Sequence, residues 1–173
     1  MRVKIFPWLR QEFVSLSWEG TGNARSVSSS HIWTGRLGAK ARISIDLLAM
    51  RPPADGAPKI MKEYDPPAFP LRSMTLGGIL FLSGVTDMTH ATFDEQFPVV
   101  IQRITDSLTD GGAAWRDVKK VSFLLHHEES LAMLRQRFST AVSANIPDMD
   151  YSFVGTRQGK RIEVEVTAKI VGG

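Results

Sequence analysis

Six of the nine prolines of this 173-residue chain fall between Arg51 and Pro70: Pro52, Pro53, Pro58, Pro66, Pro67 and Pro70. Proline fixes its own φ, has no N–H to give to a ladder, and drives the residue before it away from the helical region. The stretch therefore reads as an extended connector. It divides the chain into an N-terminal piece at residues 1–50, a proline-rich linker at 51–65 and a longer unit at 66–173.

The longer unit alternates between two hydrophobic periods. Ile79 to Ser83 is an apolar run after Gly77-Gly78 and predicts a buried strand. Thr92 with Glu95 three residues on predicts a capping box. Behind it Phe93, Phe97, Ile101, Ile104 and Leu108 recur at helical spacing until Gly111-Gly112 ends the helix. Pro98 falls inside the first turns, where its missing N–H costs least. Val118 to Leu125 predicts the next strand. Leu131, Leu134, Phe138 and Ala141 predict a second helix, closed by Pro147. Asp150 to Val154 and Arg161 to Ile170 predict the last strands. In the final one Ile162, Val164 and Val166 alternate with Glu163, Glu165 and Thr167, which makes one face buried and one polar. The order β-α-β-α-β-β predicts an α+β fold: a mixed sheet with two helices packed on one face.

The first 50 residues hold strand-like runs at Phe13 to Trp18, Ser26 to Trp33 and Arg42 to Met50, and no helical pattern. Ile43-Ser-Ile-Asp-Leu-Leu-Ala49 echoes Ile162-Glu-Val-Glu-Val-Thr-Ala168, and Val14-Ser-Leu-Ser17 echoes Ile79-Leu-Phe-Leu-Ser83. Two echoes in the same order point to an internal repeat whose first copy lacks its helices. Three strands cannot cover a hydrophobic face alone. They are expected to extend the sheet of the C-terminal unit or of a neighbouring subunit.

Composition removes several function classes. There is no cysteine, so disulfides, thiolate catalysis and cysteine-based metal sites are excluded. Of the four histidines, His126 and His127 are adjacent and would face opposite sides of a strand, and His31 and His90 lie far off in sequence, so no metal site is expected. The net charge of +3 is scattered rather than gathered on one face, which argues against nucleic-acid binding. No run approaches the roughly 20 apolar residues of a membrane span, and residues 1–9 lack the apolar core of a signal peptide. A cytoplasmic location is expected. Ser28-Ser29-Ser30 lacks the flanking glycines of a nucleophile elbow. Trp115 is expected to pack the turn before the second strand.

Residues 66–170 resemble the Rid/YjgF family. The likeness rests on an ordered set: Ser83-Gly84; Thr92-Phe-Asp-Glu-Gln96; Gly111-Gly112 with Trp115-x-Asp117-Val118-x-Lys120; Leu131-Ala-Met133; Pro147; and Ile162-Glu-Val-Glu165-x-x-Ala168. The resemblance implies the chorismate-mutase-like Rid fold and a homotrimer with ligand clefts between subunits. It also implies hydrolysis of reactive enamines and imines, such as 2-aminoacrylate, to 2-keto acids and ammonia, without metal or organic cofactor. It gives Glu165 the role of the glutamate that handles protons or positions water, and it places Ser83 and Gly84 in the pocket lining. The family's carboxylate-gripping arginine would stand two residues after Pro147, where this chain has Met149 followed by Asp150. Leu71 stands where relatives often carry tyrosine. In the N-terminal piece Ala24-Arg25-Ser26 resembles the family's arginine motif, so Ser17, Arg25 and Asp46 match a site's serine, arginine and acid. That pattern resembles a tandem Rid protein with a truncated first repeat.

Each candidate also has a plain structural explanation. Glu165 handles protons, or it is a solvated strand residue paired with Lys169 or Arg161. Arg25 clamps an anion, or it lies on the surface. Asp150 meets a ligand amine, or it begins a strand. Three functions fit this set: a Rid-like enzyme acting on a small polar metabolite, a non-catalytic metabolite-binding or chaperone-like homologue, and a partial subunit that completes its sheet with another Rid-like chain.

Overall fold

The structure, a computed structural model, describes residues 56, 58–66, 71–154 and 159–170, and the backbone of 2–4, 29–31 and 44–46. Three short N-terminal strands are β1 (Arg2–Lys4), β2 (Ser29–His31) and β3 (Ser44–Asp46). They form a sheet of their own in the order β2-β1-β3, with β1 parallel to β2 and antiparallel to β3. Of the two sheets they were expected to extend, the larger sheet of the same chain is therefore not joined by these strands. No alternation announced β1, which pairs with both other strands. The run at Phe13 to Trp18 lies outside the described residues.

The remaining elements are β4 (Ile60–Lys62), β5 (Ser73–Leu76), β6 (Ile79–Leu82), β7 (Val85–Thr86), α1 (Phe93–Asp110), a 3-10 turn (Trp115–Asp117), β8 (Val118–His126), α2 (Leu131–Ala141), β9 (Asp148–Val154) and β10 (Ile162–Lys169). The strands form a seven-stranded mixed sheet in the order β4-β5-β6-β10-β8-β9, with β7 also on β10. Only β8 and β9 run parallel within it. A parallel pair needs a crossover, and α2 is that crossover. The expected α+β architecture is therefore present. β4, β5 and β7 join the strands read from the sequence.

α1 begins as its capping box predicts: Thr92 Oγ1 accepts from Glu95 N at 3.3 Å, and Thr92 N donates to the Glu95 carboxylate at 3.2 Å. It continues unbroken past the exposed Pro98. Gly111 caps its end, donating to Ser107 O, and any Cβ there would fall 2.4 Å from Leu80 Cδ2. Gly112 follows at φ 76°. Only glycine fits both positions without displacing Leu80 or straining the turn.

The helix stripe of Phe93, Phe97, Val100, Ile104 and Leu108 packs with Leu134 and Phe138 of α2 in one apolar core. The sheet contributes Val121, Phe123 and Leu125 of β8 and Ile162, Val164, Val166 and Ala168 of β10 to the same core. Each of these side chains larger than Ala168, once buried, contributes about 1.5–3 kcal/mol. Trp115 packs edge-on to Phe138, with centroids 5.7 Å apart, and its Nε1 donates to Thr105 Oγ1 at 2.9 Å. Both helices thus cover one face of the sheet, and the alternate residues of β8, β9 and β10 point to the other.

Candidate functional site

The helix-free face is organised by strand register. Residues directly opposite on neighbouring strands share a face, with Cβ atoms roughly 4.5–5.5 Å apart. Three successive rows cross β10, β8 and β9: Glu163–Leu124–Ser152, Glu165–Ser122–Asp150 and Thr167–Lys120–Asp148. Glu165 and Asp150 are thus brought into one row with buried Ser122 between them. On the opposite side of β10, Phe81 faces Thr167 and Thr86 faces Glu163. The break between β6 and β7, made by Ser83 and Gly84, falls beside Glu165 and Val166.

Ser83, Gly84, Glu165 and Asp150 therefore lie in one band across the sheet. Ser83 is only 1% exposed, and its hydroxyl donates to the Leu71 carbonyl while its N–H donates to Arg72 O. Gly84 is half-buried. Ser17 and Arg25 lie outside the described residues, as does Arg157. Asp46 ends β3, opposite Arg2, in the separate three-stranded sheet.

The charges of the band are arranged in pairs. Lys120 Nζ lies 3.1 Å from an Asp150 oxygen and 3.3 Å from an Asp148 oxygen. The Asp150 hydrogen bond, with that of Asp148, holds the Lys120 ammonium above the usual lysine range although burial opposes it. Lys160 Nζ lies 3.3 Å from buried Glu163. Arg161, considered as a partner for Glu165, instead reaches Glu128 at 2.9 Å and Glu129 at 3.5 Å. Met149, at the place of the family's arginine, belongs to the row of Val121 and so to the helix side of β9. There it is 43% exposed and lies beside Tyr151, whose ring stacks on Phe123 at 5.3 Å.

Two further groups were not read from the sequence. Tyr64 follows β4 and is half-buried; burial raises its phenol above the usual range, and among the charges acting on it are Arg72, Glu163 and Arg103. It came from a stretch read as connector, so periodicity carried no signal for it. Asp87 is fully buried after β7. Burial alone would raise its carboxyl, but hydrogen bonds from Thr89 and His90 hold it well below the usual range. Arg103 of α1 lies 3.2 Å from it, so Asp87 ties the β7 turn to the helix.

The adjacent histidines mark the end of β8 and the turn that leads to α2. His126 ends β8 but His127 already belongs to the turn, so strand alternation no longer separates them and their rings lie 4.4 Å apart. Burial first, then His127 and Arg161, keep His126 below the usual histidine range. Among the described residues no group of three His, Asp or Glu side chains is arranged to hold a metal. No described helix is long and apolar enough to cross a membrane.

No family model matches this sequence, and no curated protein does. Solved structures do. Rv2704 of Mycobacterium tuberculosis, a member of the YjgF/YER057c/UK114 family, is 17% identical with a TM-score of 0.56, over 65% of this chain and 100% of that one. YyfA of Yersinia pestis, from the conserved Rid protein family, is 18% identical with a TM-score of 0.59 over the same shares. RidA of the Antarctic bacterium Psychrobacter is 20% identical with a TM-score of 0.55, over 60% of this chain and 89% of that one. At such identity the likeness speaks to architecture, and the architecture agrees with the sheet order, the helix-covered face and the crossover described above. The C-terminal unit of this chain has the YjgF/Rid fold.

Proposed function

We propose that this chain is a Rid-like hydrolase that deaminates a small imine by adding water to it, with Glu165 as the group that moves the protons. It works as a cytoplasmic homotrimer with ligand clefts at the subunit boundaries. The observation that carries the reading is the band in which Ser83-Gly84, Glu165, Ser122 and Asp150 meet on the helix-free face. A carboxylate beside a hydroxyl and a second carboxylate is a proton-handling arrangement, and such groups contribute roughly 10²- to 10⁴-fold to a rate.

The chemistry balances with these residues alone. Water oxygen bonds to the carbon of the protonated imine, C=NH2+, as Glu165 takes a water proton. Glu165 returns that proton to the nitrogen of the carbinolamine. The C–N bond then breaks as Glu165 takes the hydroxyl proton and the carbonyl forms, and the departing ammonia leaves with that proton as ammonium. Asp150 and Ser122 orient the nitrogen and the water.

The test is ammonia release from imines generated in place by an oxidase, compared for the wild-type chain and Glu165→Gln. Acceleration by the wild type, reduced about 100-fold or more in the variant, is the expected result. Equal rates with and without protein would remove the enzyme reading and leave a binding protein. Sedimentation of the purified chain tests the trimer: a stable monomer would remove the intersubunit cleft.

A further inference from the structure

We infer that protonation of His126 passes the Glu128 carboxylate from Arg161 to the imidazole, and so loosens a clamp between the start of β10 and the turn before α1. This end of the sheet is then a pH-sensitive switch. It does not rest on the hydrolase reading.

The clamp is one side chain. Arg161 immediately precedes β10, and its Nη1 lies 2.9 Å from Glu128 and 3.5 Å from Glu129, both in the turn between β8 and α2. Its Nε donates to the Ala91 carbonyl at 3.3 Å, just before α1. Its backbone is fixed as well: the N–H donates to Gln96 Oε1 at 2.8 Å, and the carbonyl accepts from His126 N at 2.9 Å. A single guanidinium therefore ties the start of β10 to the turns that lead into both helices.

The trigger follows from the atoms that face His126 Nδ1. The Glu128 N–H and Arg161 Nη1 each lie 3.4 Å from it. Neither can accept a hydrogen bond, so Nδ1 is the acceptor and the proton of the neutral ring sits on Nε2. A second proton goes to Nδ1. It turns both contacts into donor against donor, one of them with a guanidinium. An acceptor is close by in Glu128 Oε2 at 3.6 Å, the oxygen that Arg161 already holds. Two cations then compete for one oxygen.

Exposure decides which cation moves. The His126 side chain is 11% exposed and ends a strand, whereas those of Arg161 and Glu128 are 30% and 62% exposed. The short step is for Glu128 to turn to the imidazolium and for Arg161 to shift onto Glu129. Two carboxylates then meet two cations, and the Arg161 bond to Ala91 O is given up.

The remaining groups around His126 tune the transition. The His127 ring lies 4.4 Å away and repels once protonated. Val154 faces His126 from β9 and carries no charge. In the next row Glu163 lies 3.3 Å from Lys160. Burial, then His127 and Arg161, place the transition below the ordinary histidine value of 6.5, with Glu128 and Glu129 opposing them.

The experiment is an NMR titration of the full-length protein across the histidine range, following the His126 ring and the Arg161 Nε–H together. The expected result is one shared midpoint below 6.5, with loss of Arg161 Nε–H protection in the acid limb after correction for intrinsic exchange. His126→Asn puts an amide oxygen near the place of Nδ1 and cannot take the proton, so its Arg161 signal should stay at the neutral position throughout. Glu128→Gln changes an exposed residue and keeps the test open if the buried variant does not fold. Its Arg161 signal should stand at one position at every pH, and its His126 midpoint should drop. His127→Gln should keep the joint transition and raise its midpoint. An Arg161 signal that stays still while His126 titrates overturns the exchange, as does one that still moves in His126→Asn or Glu128→Gln. A joint transition lost in His127→Gln overturns the assignment of the trigger to His126.

Discussion

The two faces of the seven-stranded sheet are built from the same strands and have opposite tasks. On β10, Ile162, Val164, Val166 and Ala168 face the helices and are no more than 2% exposed. Between them Glu163, Glu165 and Thr167 face away. β8 repeats the division, with Val121, Phe123 and Leu125 on one side and Lys120, Ser122 and Leu124 on the other. Apolar positions and the positions of the proposed site are thus interleaved at a spacing of one residue. The parity of a position, more than its place along the strand, decides what a substitution does. A helix-side change should act on unfolding and leave the charge of the band untouched. A change at a charged, exposed position of the other face, such as Lys120, should do the reverse, whereas Leu124 and Ser122 on that face are buried.

The sharpest break of that comparison is Phe123→Ala. Phe123 lies edge-on to Phe138 at 5.0 Å and stacked on Tyr151 at 5.3 Å, so its removal leaves a cavity under α2. A loss of about 3–5 kcal/mol is expected, read as a lower urea midpoint with an unchanged slope. A loss below about 1 kcal/mol would show that α2 is not anchored through this ring.

Gln96 is the polar exception on the helix. It is fully buried on α1, donates to the His90 and Gly159 carbonyls at 2.6 and 2.8 Å, and accepts from Arg161 N at 2.8 Å. It therefore pins the start of β10, the strand that carries Glu163 and Glu165, to the helix. Gln96→Ala leaves those backbone groups without their partner and should cost about 2–3 kcal/mol in the same urea titration. Hydrogen exchange at Arg161 and Ile162 should rise before global unfolding, which distinguishes a local tether from a general core residue.

These sites also show what the sequence could and could not disclose. Phe123 and the stripe of α1 were legible because burial repeats at 2 or 3.6 residues, a pattern that survives in one dimension. Thr92 with Glu95 announced the start of α1 because a cap is local. The strands β4, β5 and β7 were not legible. They are two to four residues long, and Ile60–Lys62 sits among prolines. The row Glu165–Ser122–Asp150 could not be read either, because it joins three strands whose pairing is set by the fold. Glu165 and Asp150 were proposed singly from a resemblance; Ser122, which lies between them, had no motif to mark it. Register alone also shows that Met149 and Asp150, neighbours in sequence, serve different faces.

A smaller effect is expected on the open face. Lys120→Ala removes the ion pairs to Asp148 and Asp150, which are 58% and 39% exposed. Exposed pairs of this kind are worth about 0–1 kcal/mol, less at high salt. The sign with pH follows from the raised ammonium. Its contribution is fully present below the ordinary lysine value of 10.5 and is lost as pH rises through the higher folded value. A modest alkaline decline in melting temperature that disappears in Lys120→Ala is the expected outcome. A loss as large as that of Phe123→Ala would break the division between the faces.

The last test concerns the end of β8, where the faces run out into a turn. Burial, His127 and Arg161 hold His126 below the ordinary value of 6.5, so the folded chain binds this proton less readily than the unfolded chain. Between the depressed folded value and 6.5 the unfolded state carries more protons, and stability therefore falls as pH falls through that window. One group imposes a slope of at most about 1.4 kcal/mol per pH unit, and less where protonation is partial in both states. Asp87 and Glu128 act with the same sign, but as carboxyls held below their ordinary values of 3.8 and 4.5 they act in more acid solution. Melting curves from pH 7 to pH 5 should therefore slope downward in the wild type and flatten in His126→Gln. The carboxyl-driven fall below pH 4.5 should remain in both. If the two proteins keep the same slope above pH 5, the buried imidazole is not the group that sets it, and the end of β8 follows the open face rather than the core.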